Sequence, residues 1–343
     1  MLAMTCGEIE EIVKNAGFEP YRAKQLYSWL CKGAALDEMT NLPSAFKEKL
    51  RSLGFDPTLP KIEQKLVSIL DGTVKYLFSL TDGQLIESVV MKYEHGNTIC
   101  VSCQAGCRMG CRFCASTLKG LSRNLTSSEI LGQVYAAQKD MGERISNIVM
   151  MGIGEPLDNY DNVIRFLHAV NRPEGLNVGY RHISLSTCGV VDGIKRLSDE
   201  GLPITLSISL HNIDTEQRKQ IMPITNKWSV EELLSACAEY FSKTGRRISF
   251  EYTLISGEND SPEQAEALAK GLKKFLHGMP IHVNLIPLND VSERNYKKSA
   301  PKSVEAFKSK LISMGINATV RRRLGPDINA SCGQLRLNNQ KAN

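Results

Sequence analysis

Three cysteines in the run Cys107-Arg108-Met109-Gly110-Cys111-Arg112-Phe113-Cys114 stand at C-x3-C-x2-C spacing. With ten cysteines in 343 residues, chance places this spacing in about 1% of such chains. Five of the ten fall between positions 100 and 114. Neighbouring thiols in a reducing compartment are ligands or catalysts more often than staples. Zinc takes four ligands, usually in pairs. Three thiolates suit an iron–sulfur cubane, leaving one iron open to chemistry. Spacing alone leaves both readings standing. A second candidate is Glu87, in Leu85-Ile86-Glu87-Ser88-Val89-Val90-Met91, where strand alternation sets it on one face with Leu85, Val89 and Met91. An apolar setting favours a protonated carboxyl and so suits a general base, although a charge on an edge strand also guards against aggregation. Cys100 and Cys332, read alone, are core cysteines.

The elements that must position these groups follow from periodicity. Residues 1 to about 55 show apolar spacings of three and four, as in Ile9, Ile12, Val13, then Ala23, Leu26, Leu30, and predict a small helical unit. Between 62 and 94, short runs broken by Asp71-Gly72 and Asp82-Gly83 predict an antiparallel sheet. From 97 onward, apolar strands alternate with amphipathic helices. Strands are expected at 98–102, 147–151, 182–186, 204–210, 248–254 and 282–287, with a short last one at 318–322. Helices are expected near 127–140, 160–171, 191–200, 229–243, 262–276 and 303–314. Near-continuous apolar strands separated by helices mean a covered parallel sheet, and six units are too few for a closed eight-fold barrel. An open, partial barrel fits. Chemistry in such folds sits where strands end. Those ends hold the cysteine loop, Gly152-Ile153-Gly154-Glu155-Pro156, Ser186-Thr187-Cys188-Gly189, Ser209-Leu210-His211 and Pro287-Leu288-Asn289.

Composition agrees with a globular chain: 42% hydrophobic and 23% charged residues exclude disorder or a fibre. The formal net charge of +5 permits a nucleic-acid partner without requiring one. No apolar stretch approaches the ~18 residues of a membrane span, and the acidic start is unlike a signal peptide. A cytoplasmic protein with no membrane partner is expected. Cys6, Cys31 and Cys237 sit in helical patterns and are expected in the core; Cys188 has no assigned role.

The cysteine loop after the first barrel strand resembles the radical S-adenosylmethionine (SAM) superfamily. The likeness is closer still. Cys100-Val101-Ser102-Cys103-Gln104-Ala105-Gly106-Cys107, then Gly120-Leu121-Ser122-Arg123-Asn124-Leu125-Thr126, then Asp327-Ile328-Asn329-Ala330-Ser331-Cys332-Gly333-Gln334-Leu335, resemble the RlmN/Cfr family of radical-SAM RNA methyltransferases over about 20–336. Cys103 departs from the family, which more often has Ser or Thr there; alternation sets it opposite Cys100.

The resemblance implies an α/β radical-SAM partial (βα)6 barrel with a small helical N-terminal domain and a short antiparallel β extension. The corresponding domains are an RNA-binding accessory unit at 1–58, the extension at 59–96, the barrel with a C-terminal cysteine loop at 97–336, and a tail at 337–343. It implies a 4Fe-4S cluster on Cys107, Cys111 and Cys114, and SAM held by Gly154, Glu155, Ser186, Ser209, Leu210, His211 and Asn289. It further implies that Cys332 takes a methyl group from one SAM and that a radical from a second SAM activates that methyl. Glu87 then removes a proton from the adduct, and Cys100 releases the product by a disulfide with Cys332. The expected substrates are an adenine of 23S rRNA, methylated at carbon 2, and tRNA, with flavodoxin or ferredoxin as electron donor. The alternatives are the Cfr-type reaction at carbon 8, and a non-enzymatic RNA-binding protein with a structural metal. Basic clusters at Arg246-Arg247, Lys297-Lys298 and Arg321-Arg322-Arg323, and the aromatic-basic run 21–30, are the candidate RNA contacts.

Overall fold

Residues 1–289 and 293–330 are described in the computed structural model of the protein. Three helices come first, α1 (Cys6–Asn15), α2 (Tyr21–Leu30) and α3 (Ser44–Ser52). Thr5 and Glu8 cap α1 reciprocally, satisfying amide groups that the first turn leaves without helical partners. The apolar stripes of these helices, including Ile9, Leu26 and Phe46, bury into the same core as the barrel. Each such side chain contributes about 1.5–3 kcal/mol by leaving water. Polar contacts reinforce the seam: the Tyr135 hydroxyl donates to the Cys31 carbonyl at 2.8 Å, and Arg165 pairs with Glu8. Cys31 and Cys237 are buried as expected. Cys6 is not. It opens α1, half-exposed, with its thiol near Glu10, because the apolar stripe begins only at Ile9.

Strands β1 (Lys61–Val67), β2 (Val74–Ser79) and β3 (Leu85–Met91) form an antiparallel meander. Its two turns carry Asp71-Gly72 and Asp82-Gly83. β1 is an edge strand whose residues alternate between exposed and half-buried. β3 then pairs antiparallel with β4 (Asn97–Cys100), so the extension is the leading part of one ten-stranded mixed sheet.

Beyond β4 come a small ribbon of β5 (Gln104–Gly106) and β6 (Leu121–Asn124), and then helix α4 (Ser127–Met141). The chain continues through β7 (Ile145–Met150), α5 (Tyr160–Val170), β8 (Ile183–Thr187), α6 (Val191–Asp199), β9 (Thr205–Ser209), α7 (Thr215–Ile221) and α8 (Val230–Thr244). It ends with β10 (Ile248–Leu254), α9 (Pro262–Phe275), β11 (Ile281–Pro287), α10 (Pro301–Ser313) and β12 (Asn317–Val320). The sheet order is β1-β2-β3-β4-β7-β8-β9-β10-β11-β12, with parallel pairing from β4 onward. Central β10 is buried along its whole length, as a strand covered on both faces must be. Reciprocal caps at Thr126, Ser229 and Ser261 start α4, α8 and α9. The six anticipated barrel helices and the parallel strands stand within a few residues of their expected bounds. The β5–β6 ribbon and the short α7 were not anticipated. Among the described residues no helix is long and apolar enough to cross a membrane.

Candidate active site

The β5–β6 ribbon closes the cysteine loop at its base. The Cys107 amide donates to the Gly120 carbonyl at 2.9 Å. Gly106 sits at φ +90, where a Cβ would stand 2.0 Å from that same carbonyl. Only glycine permits so tight a closure. Inside the loop, the Thr117 hydroxyl donates toward the Cys111 and Cys114 carbonyls. Cys107, Cys111 and Cys114 are free thiols lining one cavity of about 220 Å³. Burial pushes the Cys107 thiol up to about 12 and the Cys111 thiol up as well, so loading iron must release protons. Among the described residues no three His, Cys, Asp or Glu side chains are arranged to grip a single ion. A cubane makes a different demand, since each thiolate binds its own iron. Three thiols on one closed loop facing one cavity fit that demand.

The other walls of this cavity are the strand ends. Gly154 adopts φ +109, and a Cβ there would meet the Gln104 side chain at 2.6 Å. This close approach lets the Gln104 amide oxygen accept from the Glu155 amide at 2.9 Å. Glu155 is buried, and its carboxylate accepts from the Cys188 and Leu157 amides at 2.7 and 3.1 Å. Burial raises its proton affinity, and these hydrogen bonds oppose the rise. Gly154→Ala is expected to cost roughly 2–3 kcal/mol through strain and contact, read as a lowered thermal midpoint of the apo-protein; an unchanged midpoint would mean the segment has another conformation open to it.

Ser186, Ser209 and His211 line the same cavity. His211 stands at φ +57. Its Nδ1 accepts from the Thr253 amide at 2.9 Å, and the Phe113 ring meets it edge-on at 4.9 Å. Burial and the Arg218 charge push His211 down to about 3. The ring is therefore neutral with its proton on Nε2. Leu210 differs from expectation: its side chain is buried in the main core, and its carbonyl accepts from Arg218. Leucine here packs the strand end and does not face the cavity.

Arg218, on α7, has no counterpart among the expected site residues. It is 1% exposed, and it donates to the carbonyls of Leu210, Cys188 and Ser209 and to the Thr225 hydroxyl at 2.7–3.0 Å. A buried guanidinium satisfied by three carbonyls and a hydroxyl ties the loops after β8 and β9 to the turn that follows α7.

A second cavity of about 260 Å³ adjoins the first, sharing Met151, Gly152, Ile286 and Arg321 in its wall. Register explains its contents. Val89 of β3 opposes Cys100 of β4, so Glu87, two residues before Val89, shares a face with Cys100. Both line the cavity, as does Asn289. Asn289 is thus beside Glu87 and Cys100, not among the residues around the cysteine loop. Glu87 is not an isolated carboxylate on an apolar face: Lys75 Nζ lies 3.0 Å away, and both side chains are 1% exposed. Burial pushes the Cys100 thiol up, and the Arg321 charge opposes the shift. Arg321, Arg322, Arg323 and Lys298 complete the wall. Arg247 lines a different cavity. On α2, Ala23, Leu26 and Leu30 are buried, while Tyr21 is 53% exposed with the Arg22 guanidinium over its ring. Cys103 is buried in the main core, and Cys188 lines the cavity of the cysteine loop. Cys332 lies outside the described residues.

Comparison with known proteins shows what the chain is similar to. Residues 101–269 match the Radical SAM superfamily, and residues 1–54 match the ribosomal RNA large subunit methyltransferase N-terminal domain. The chain is 53% identical over 340 residues to a probable dual-specificity RNA methyltransferase RlmN of Clostridium novyi, covering 98% of each chain. It is 52% identical over 337 residues to the protein of that description from Alkaliphilus oremlandii, covering 98% of this chain and 97% of that one. The crystal structure of a radical SAM methyltransferase from Sphaerobacter thermophilus superposes with a TM-score of 0.90 at 40% identity, covering 97% of this chain and 98% of that one.

Proposed function

Because the chain belongs to the RlmN family of radical SAM methyltransferases, it is an RNA methyltransferase that uses a 4Fe-4S cluster and SAM, and we propose that it methylates carbon 2 of an adenine in 23S rRNA and in tRNA. The non-enzymatic RNA-binding alternative falls with that membership. The observation that carries the proposal is the pair of adjoining cavities. One holds the three cluster thiols and the Glu155 wall; the other holds Glu87 and Cys100 beneath Arg321, Arg322, Arg323 and Lys298. Cations at that mouth suit a phosphate backbone and would make binding salt-dependent. A target base must leave its stack to enter.

Carbon 2 of adenine is electrophilic, so a methyl cation cannot be passed to it directly. In this reading the Cys332 thiolate attacks the SAM methyl group, forming a carbon–sulfur bond as the methyl–sulfonium bond breaks. Ala330, two residues earlier in the chain, lines the cavity with Glu87 and Cys100. Cys107, Cys111 and Cys114 would hold the cluster, which when bound would supply the electron that cleaves a second SAM. Gly154, Glu155, Ser186, Ser209, Leu210, His211 and Asn289 would hold SAM, with the Glu155 carboxylate for its ammonium. The radical released from that second SAM would take a hydrogen atom from the Cys332 methyl group. The methylene left behind would add to carbon 2 and join protein to RNA, and Glu87 would take the proton from that ring carbon. The Cys100 thiolate would then attack the Cys332 sulfur, forming the S–S bond as the sulfur–methylene bond breaks; the departing methylene would take up a proton, and the one excess electron would return to the cluster. Reaction in the cytoplasm, with flavodoxin or ferredoxin supplying electrons, completes the proposal.

The test is product identity. Protein reconstituted anaerobically is given SAM, a reductant and protein-free 23S rRNA from a strain lacking the modification, and the digested RNA is compared with standards. 2-Methyladenosine is expected. 8-Methyladenosine would assign the Cfr-type reaction to the same residues, and no methyladenosine despite SAM cleavage would overturn the substrate. Cys100→Ala is expected to leave RNA joined to protein, seen as a retarded band on a denaturing gel. Rapid, complete release from that variant would remove Cys100 from the resolving step.

A further inference from the structure

We infer that Lys75 is a positioning residue for the methyl transfer, tying the base Glu87 to the chain segment that leads into Cys332. The inference rests on the roles proposed above for those two residues. Lys75 lies within Thr73-Val74-Lys75-Tyr76-Leu77-Phe78, every member of which is buried. A lysine there is costly unless its ammonium is partnered. Registers Lys75↔Val89 and Leu77↔Glu87 place it diagonally across from Glu87 on the neighbouring strand. Its Nζ stands 3.0 Å from Glu87 Oε2 and donates at 3.0 Å to the Asn329 carbonyl. Buried ion pairs are often no more stabilising than well-packed apolar residues. A pair retained at the wall of a reaction cavity is better explained by the placement it enforces.

The Asn329 contact is one of a series. The Asp71 carboxylate accepts from the Gly325 amide at 2.9 Å. Asp327 accepts from the Ser68 hydroxyl at 2.7 Å and from the Ile69 amide at 3.0 Å. Burial raises Asp71, but hydrogen bonds from Gly325, Thr73 and Ser68 outweigh it and hold the group at about 2. The β1–β2 hairpin therefore grips residues 325, 327 and 329 in turn, directly before Ala330 reaches the cavity wall. Lys75 is the point where this grip meets the base. A displaced stem would draw the ammonium from Glu87, so base and C-terminal segment are set together. The charged and titratable groups around Glu87 are Lys75 from β2, Cys100 from β4, and Arg321, Arg322, Arg323 and Lys298 lining the same cavity.

The experiment compares full-length Lys75→Met and Glu87→Gln proteins with reconstituted clusters. Lys75 lines neither cavity, so Lys75→Met is expected to keep cluster absorbance and RNA-free SAM cleavage within about twofold. Methylation at neutral pH should fall at least about 100-fold, the scale of a general base. Because Lys75 lines neither cavity, the loss should fall on kcat, with KM for RNA within about threefold. Amide hydrogen exchange should quicken at 325–330. A Lys75→Met protein with the wild-type kcat and exchange, beside an inactive Glu87→Gln, overturns the inference and leaves the base assignment standing. An active Glu87→Gln overturns the base assignment itself. Should Lys75→Met fail to fold, exposed Asp327→Asn loosens the same stem from outside. It is expected to lower methylation about tenfold through misplacement and to quicken exchange at 325–330; wild-type behaviour in both overturns the inference.

Discussion

Cys332→Ala is expected to abolish RNA methylation, by at least about 10³-fold, while the reconstituted cluster keeps its visible absorbance. The reasoning is chemical. A ring carbon that accepts no methyl cation needs an intermediate carrier, and a thiolate is the side chain that takes a methyl from a sulfonium and holds it as a thioether. The motif from Asp327 to Leu335 carries the cysteine. Its described part leads to Ala330 in the wall shared with Glu87 and Cys100. Alanine removes the proposed carrier and leaves the three loop cysteines in the chain. Mass spectrometry of the intact protein supplies the second readout: wild type gains one methyl group on incubation with SAM, and the variant gains none at that position. Full methylation by Cys332→Ala would remove the residue from the mechanism and leave Cys100 without its partner.

Cys111→Ala is expected to remove the iron. Cys111 is 8% exposed and packs with Cys188, Ile221, Met222, Ile255 and Leu288. Its own loop is held by the Cys107–Gly120 closure and the Thr117 bonds, which alanine leaves in place. The apo-variant should therefore fold with a far-ultraviolet spectrum like wild type. Reconstituted iron should fall from about four atoms per chain to below about one, with SAM cleavage lost in parallel, because two cysteines cannot hold a cubane that needs three. Iron analysis decides the matter. Retained iron and cleavage would mean that Cys111 is no ligand, and neighbouring Cys188 would be the next thiol to test.

Much of the scaffold was legible in consecutive residues. The amphipathic run near 127–140 announces α4, which Thr126 and Glu129 cap in the structure. Asp71-Gly72 and Asp82-Gly83 announce the turns of the meander. The strand-end reading brought Gly154, Glu155, Ser186, Ser209 and His211 together before any coordinates, since a parallel βα sheet gathers those ends on one side. Within Ser209-Leu210-His211 the faces alternate, so Ser209 and His211 line the cavity while the Leu210 side chain packs the core. Asn289 lines the adjoining cavity, a placement that consecutive residues do not specify.

Arg218 and Lys75 were invisible for a different reason. In Thr-Glu-Gln-Arg-Lys-Gln, Arg218 looks like any solvated cation on a short helix; only the convergence of the Cys188, Ser209 and Leu210 carbonyls shows it to be internal. Lys75 sits in a run that also suits a one-sided strand.

The sequence by itself determined the local elements, the cysteine spacing and the family motifs, because each is written within a span of about twenty residues and follows from covalent geometry, periodicity or ligand chemistry. The tertiary structure alone decided that Glu87 faces a cation, that this cation also grips the segment before Cys332, and that two cavities adjoin across Met151 and Gly152. Those contacts join residues up to 254 positions apart. No local propensity encodes such a meeting; it arises when burial of many apolar side chains brings distant strands together and compels each polar group caught between them to find a partner.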